Sequence, residues 1–110
     1  MRRWRRAPPT LRDDAAVTVR YLLVARLPAG GLVDFDAYES AVLPLLAEHG
    51  GRLERRLRAH DGRGEAHVVA FPDDDAFAAY RADPRRQAAA PLLRSSGAEL
   101  DLWPVDDLPT

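Results

Sequence analysis

His67 is the residue of this 110-residue chain best suited to acid or base chemistry. Its imidazole titrates near neutrality, and it sits in a β-rich run between Glu65 and Val69. Arg20 and Arg26 could hold a carboxylate, enolate or phenolate, and Trp103 could wall an aromatic ligand. Asp101 joins them as a ligand-binding candidate, because it falls on the last β-rich run at a position where it could pair with either arginine. Each also has a plainer duty. A strand histidine is more often a hydrogen-bonded interface residue, and ion pairing and packing alone account for the arginines, Asp101 and Trp103.

Other constellations lead nowhere catalytic. His49 falls at the end of a helical pattern and His60 borders a turn. Neither has metal-ligand spacing to a neighbour, Glu48-His49 lacks the second histidine of a zinc motif, and no metal site or cofactor is expected. The chain has no Cys, which removes disulfides, thiolate metal sites and a cysteine nucleophile. Gly62-Arg63-Gly64 has His67 where a dinucleotide fingerprint needs its third glycine, and it lies in a hairpin rather than between a strand and a helix.

The elements that must position these side chains read as strand, helix, two strands, helix, strand. Val17 to Leu27 is rich in β-formers and stops at Pro28-Ala29-Gly30-Gly31. Asp34 is the expected N-cap of a helix whose Phe35, Tyr38, Val42, Leu45 and Leu46 follow helical spacing, with a kink at Pro44 and a stop at Gly50-Gly51. Arg52 to His60 and Glu65 to Phe71 form a hairpin around Asp61-Gly62-Arg63-Gly64. Asp73, Asp74 and Asp75 favour a helix start, and Asp83-Pro84 breaks that helix and restarts it as an N-cap followed by proline. Gly97 closes it, and Ala98 to Val105 is the fourth strand.

A chain of this size is one domain that removes only roughly 60 to 65% of its unfolded surface from water. With 46% hydrophobic and 30% charged residues it has ordinary globular composition. Residues 1–14, with five arginines in the first twelve positions and two prolines, read as a flexible basic tail, 15–105 as the domain, and 106–110 as a second tail. The opening Arg2-Arg3-Trp4-Arg5-Arg6 lacks the apolar stretch of an export signal, so a cytoplasmic location is expected. A net charge of −1 argues against a nucleic-acid partner, and no apolar run is long enough to span a membrane.

Alternation along strand one puts Tyr21, Leu23, Ala25 and Leu27 on a face for the helices, and Arg20, Leu22, Val24 and Arg26 on the other. The same reading places Ala66, Val68, Ala70, Leu100 and Leu102 inward. It places Glu65, His67, Val69, Phe71, Glu99, Asp101, Trp103 and Val105 on the outer, half-apolar face. Strand two carries Arg52, Glu54, Arg56 and Arg58 as one charged stripe suited to a solvated edge. Leu22, Val24, Val69, Phe71 and Trp103 exposed together would demand a partner, and a second copy of the chain is the expected one.

The order of elements, with Phe71-Pro72-Asp73 passing into Ala76-Phe77-Ala78-Ala79-Tyr80 and then Asp83-Pro84-Arg85-Arg86-Gln87, resembles the dimeric α/β-barrel superfamily over about residues 17 to 105. It looks closest to small antibiotic-biosynthesis-monooxygenase-like members and their uncharacterised relatives. The resemblance implies an α+β, ferredoxin-like β-α-β-β-α-β subunit with a four-stranded antiparallel sheet, dimerising through the sheet face around a cavity. It also implies, for an enzyme, cofactor-free oxygenase or isomerase and cyclase chemistry. The oxygenase and haem-degrading branches use a cavity asparagine, and this chain has no Asn. The expected function is therefore that of a homodimer binding or transforming a small organic molecule in a semi-polar cavity between sheets. The competing expectation is a non-catalytic interaction or regulatory module whose lumen its own side chains fill.

Overall fold

Residues 18–110 are described by the computed structural model; the basic tail with Trp4, and Val17, lie outside the described residues. Four strands, β1 (Val19–Arg26), β2 (Arg52–Arg58), β3 (Gly64–Phe71) and β4 (Glu99–Val105), form one antiparallel sheet in the order β2-β3-β1-β4. Between β1 and β2 lie helices α1 (Leu32–Val42) and α2 (Leu45–Glu48), and between β3 and β4 lie α3 (Asp74–Arg81) and α4 (Pro84–Ser96). This is the ferredoxin-like α+β arrangement, with each of the two helical crossings divided.

Prolines make both divisions. Pro44 has no N–H to donate and crowds the carbonyl four residues earlier, so the expected kink becomes a full stop after Val42, with Pro44 leading into α2. Asp73 caps α3 by accepting from the Ala76 amide at 2.8 Å, and Asp83 caps α4 by accepting from the Arg85 amide at 2.8 Å, with Pro84 at the first helical position. Asp34 is not the N-cap of α1. The helix begins two residues earlier, after Gly31, and Asp34 instead accepts a 2.6 Å hydrogen bond from Ser95 Oγ that ties the start of α1 to the end of α4. At Gly51 the backbone runs so close to Phe71 that a Cβ there would lie 2.5 Å from the ring.

The register of β1 against its neighbours decides the faces. Tyr21, Leu23 and Ala25 stand opposite Val69, His67 and Glu65 on one side and Pro104, Leu102 and Leu100 on the other, and all of these face the helices. The sequence reading of β1 and β4 therefore holds, and that of β3 is reversed. Glu65, His67, Val69 and Phe71 point into the helix layer, while Ala66, Val68 and Ala70 lie on the outer face with Leu22, Val24 and Trp103. The physical reason is bulk. Phe71 and Val69, with Tyr21, Leu45, Leu46 and Tyr80, build the larger core cluster, which alanines at those positions would leave hollow.

β2 also departs from simple alternation. Leu53 pairs with Val69 and Arg55 with the adjacent Val68, so Glu54 is an extra residue in a bulge. The charged stripe is consequently split. Arg52 and Glu54 serve the outer face, where Arg20 Nε donates to Glu54 at 2.8 Å, while Arg56 and Arg58 face the helices opposite His67 and Glu65.

Candidate functional site

Two residues apart on β3, Glu65 and His67 share the helix-side face, and the bulged edge strand brings Arg58 and Arg56 beside them. From above, α1 lowers Glu39 onto the same point, one turn beyond Phe35, which anchors that face of the helix in the core. Glu39, Glu65 and His67 are 3%, 4% and 3% exposed, so three ionisable side chains are withdrawn from water together. Burial on this scale is sustained only by pairing.

Glu65 is the best-satisfied member. Arg58 donates to its Oε1 from Nε at 2.8 Å and Nη2 at 2.6 Å, Arg56 Nε to Oε2 at 3.0 Å, and His67 Nε2 lies 2.5 Å from Oε2. Burial pushes the Glu65 carboxyl up, but the hydrogen bonds from His67, Arg58 and Arg56 overcome it and hold the group at about 2. For His67, burial pulls the imidazole down, and the carboxylates of Glu39 and Glu65 outweigh it, raising the pKa above its ordinary value. Glu39 is less well provided. Its Oε1 is buried, lies 2.9 Å from the same His67 nitrogen and 3.9 Å from Arg56 Nη2, and has no well-aligned donor of its own, because that nitrogen is shared with Glu65. Asp36 completes the outer end of the group by accepting from Arg58 Nη2 at 2.5 Å.

Glu39 and His67 open onto a cavity of about 220 Å³ between the sheet and the helices. Its floor is Leu23, Val69, Leu100 and Leu102, and its roof comes from Phe35, Val42, Phe77 and Tyr80. A second polar element stands in the wall at Arg86. That guanidinium lies 4.5 Å over the Tyr80 ring, donates from Nη2 to the Tyr38 hydroxyl at 2.8 Å, and keeps a buried Nε with no partner. Burial pushes the Tyr80 phenol up to about 12, which keeps it neutral. The chamber is thus mostly apolar, with a free carboxylate oxygen at one place and a free guanidinium N–H at another.

The structure separates the residues that the sequence singled out. His67 faces the helix-side cavity rather than a lumen between sheets. Arg20, Arg26, Asp101 and Trp103 stand on the opposite, outer face, where Arg26 Nη1 donates to Asp101 at 2.7 Å and Arg20 holds Glu54. His49 joins Asp83 at 2.8 Å and links the end of α2 to the start of α4. Sequence reasoning missed Glu39, Arg56, Arg58, Arg86 and Tyr38. The one signal that would have found part of the group was the weight of Val69 and Phe71, which forces Glu65 and His67 inward with them.

The fold is that of a ferredoxin-like α+β subunit, and it is shared by solved proteins of the antibiotic-biosynthesis-monooxygenase-like and nipsnap kinds. The oxygenase SnoaB of Streptomyces nogalater, described as cofactor-independent, superposes with a TM-score of 0.63 at 22% identity, covering 83% of this chain and 95% of that one. A putative antibiotic biosynthesis monooxygenase of Caulobacter crescentus gives 0.65 at 7% identity, over 82% and 91%. The nipsnap-family protein Atu4242 of Agrobacterium tumefaciens, of unknown function, gives 0.56 at 23% identity, over 79% and 87%. These likenesses establish the fold. No family model and no curated protein matches the chain. Among the described residues no helix is long and apolar enough to cross a membrane.

Proposed function

We propose that this protein binds a small, largely apolar organic molecule in the chamber between its sheet and helices, and acts on it at the Glu39–His67 wall. The observation that carries the reading is the opening of a buried, incompletely satisfied acid–histidine pair onto an apolar cavity, because a mostly apolar pocket with a few convergent polar groups is the usual form of a small-molecule site. The ligand that fits offers an oxygen acceptor to Arg86 and a hydrogen-bond donor to Glu39 across an aromatic or alicyclic body. Structural neighbours described as a cofactor-independent oxygenase and a putative antibiotic biosynthesis monooxygenase are in keeping with a small-molecule site on this fold, and the resemblance to oxygenases that use a cavity asparagine stops at a chain with no Asn.

The functional unit in this proposal is a homodimer closed through the outer sheet face. Leu22, Val24, Val68 and Trp103 form its apolar centre, with Trp103 49% exposed in the single chain. Burying three such side chains contributes on the order of 5 to 8 kcal/mol before the cost of association. The Arg20–Glu54 and Arg26–Asp101 pairs flank that centre and leave few charges to be buried alone.

The test is saturation-transfer NMR of the full chain with a set of phenols, naphthols and benzoates, repeated on Val42→Trp. Binding in the wild type that the tryptophan abolishes, with the circular dichroism unchanged, supports the chamber. Absence of binding throughout the set, or binding indifferent to the tryptophan, overturns it and returns the weight to an interaction module.

A further inference from the structure

Three donor atoms, Glu39 Oε1, Glu65 Oε2 and His67 Nε2, converge on one buried point and lie within 4.8 Å of one another. The nitrogen is 2.5 Å from the Glu65 oxygen and 2.9 Å from the Glu39 oxygen. An imidazole nitrogen carries at most one hydrogen, so it serves one of these oxygens and leaves the other facing it with nothing between. That other oxygen is Glu39 Oε1, which is buried and without a hydrogen-bond partner. We infer that Glu39, Glu65 and His67 form a binding site for one divalent first-row transition ion, zinc or manganese, in the wall of the chamber. The inference goes beyond the chamber's organic ligand and does not require one.

The chemistry of the donors selects the class. One imidazole with two carboxylates suits zinc, manganese or ferrous iron, the imidazole disfavours calcium and magnesium, and a chain without Cys offers no thiolate for cuprous copper. Donors about 2.0 to 2.2 Å from such an ion stand about 3 Å apart when adjacent, so small rotations of the two glutamates open the present spacing to fit. The surroundings already resemble the outer shell of a metal centre. Arg58 and Arg56 fix the Glu65 carboxylate from behind, and ligating carboxylates are normally held by such second contacts. Once the imidazole has released its proton, Asp36, Glu39 and Glu65 bring three negative charges against the guanidiniums of Arg56 and Arg58, so the cluster as a whole keeps one net negative charge.

Binding replaces a proton. The ion takes the nitrogen lone pair, any proton on Nε2 leaves to solvent, and no bond is otherwise made or broken. Glu39 and His67 line the chamber, so the remaining coordination positions face it and are open to water or to an oxygen of the organic ligand.

The experiment is isothermal titration of the chelator-stripped full chain with zinc chloride and with manganese chloride, magnesium chloride serving as control, alongside Glu39→Gln, His67→Gln and His49→Gln. Expected are one zinc per chain, no magnesium uptake, at least a tenfold loss of zinc affinity in Glu39→Gln and in His67→Gln, and no change in His49→Gln. Zinc K-edge absorption of the loaded wild type should show one imidazole among oxygen donors. Folding of each variant is checked by circular dichroism, and either of the first two suffices if the other fails to fold. Binding of neither zinc nor manganese below millimolar concentration, or binding that survives both substitutions, overturns the site. Val42→Trp should lose organic probes and keep zinc, so failure of the chamber and failure of the metal site give different results.

Discussion

Phe71→Ala is the sharpest trial of the reversed face of β3. The ring is 1% exposed and sits in the main core cluster, with centroids 5.4 Å from Phe77 and 5.5 Å from Tyr80. Removing it forfeits its transfer free energy and two aromatic contacts and leaves a cavity, for a cost of about 3 to 5 kcal/mol. In a domain of this size that lowers the melting temperature by about 12 °C or more. The companion is Val68→Ala, three residues earlier on the outer face, which removes two carbons from a half-buried position and costs under about 1.5 kcal/mol in the monomer. Urea unfolding followed by circular dichroism, at concentrations low enough to hold the chain monomeric, gives both values. A loss below about 1 kcal/mol for Phe71→Ala, or a greater loss for Val68→Ala, would refute the assignment of the faces.

Gly51→Ala should destabilise by about 1 to 3 kcal/mol, because its Cβ would meet the rigid Phe71 ring at 2.5 Å; thermal unfolding at or near the wild-type temperature contradicts that close approach. Asp73→Ala removes the cap that accepts from the Ala76 amide and should cost about 1 kcal/mol in a chemical denaturation series. Arg85 and His49 hold the Asp83 carboxyl well below its ordinary value, so the stability it lends is complete above the usual aspartate pKa of about 3.9 and is lost as the pH falls toward the depressed folded value. Asp83→Asn should therefore flatten the acid limb of a stability–pH curve, and parallel limbs for the two proteins would count against the assignment. The proposed homodimer predicts that the wild type sediments as a dimer and Trp103→Glu as a monomer, since the substitution places a charge at the centre of the outer face; a wild type that sediments as a monomer contradicts that assembly.

Most of the fold could be read from local chemistry. Asp83-Pro84, Gly50-Gly51 and the Asp61–Gly64 turn punctuate the chain in ways that few conformations satisfy, and β1 and β4 alternate clearly enough to show their faces. β3 does not, because Ala66, Val68 and Ala70 are apolar too, and the polar Glu65 and His67 made the other phase look like the wet one. The bulk of Val69 and Phe71 argues for the reversal from within the strand, but what makes it possible is held elsewhere in the chain. Glu39 from α1 and two arginines beyond a bulge supply the pairing that lets β3 bury those groups, and no pattern within one strand records a partner on another element. Pro44 was legible as a disturbance, and its strength as a full break depended on Leu45 and Leu46 turning into the core.

Glu54 occupies no rung of the ladder. Leu53 and Arg55 on either side of it meet consecutive residues of β3, so the sheet would close equally well over a chain one residue shorter. What that shorter chain would lose is the acid that answers Arg20 on the outer surface. The bulge is thus a place where a side chain can be gained or dropped without moving Arg56 and Arg58 from their glutamate. Relatives differing in length at this point are expected to differ in how they meet a neighbouring molecule and to agree in the chamber beneath.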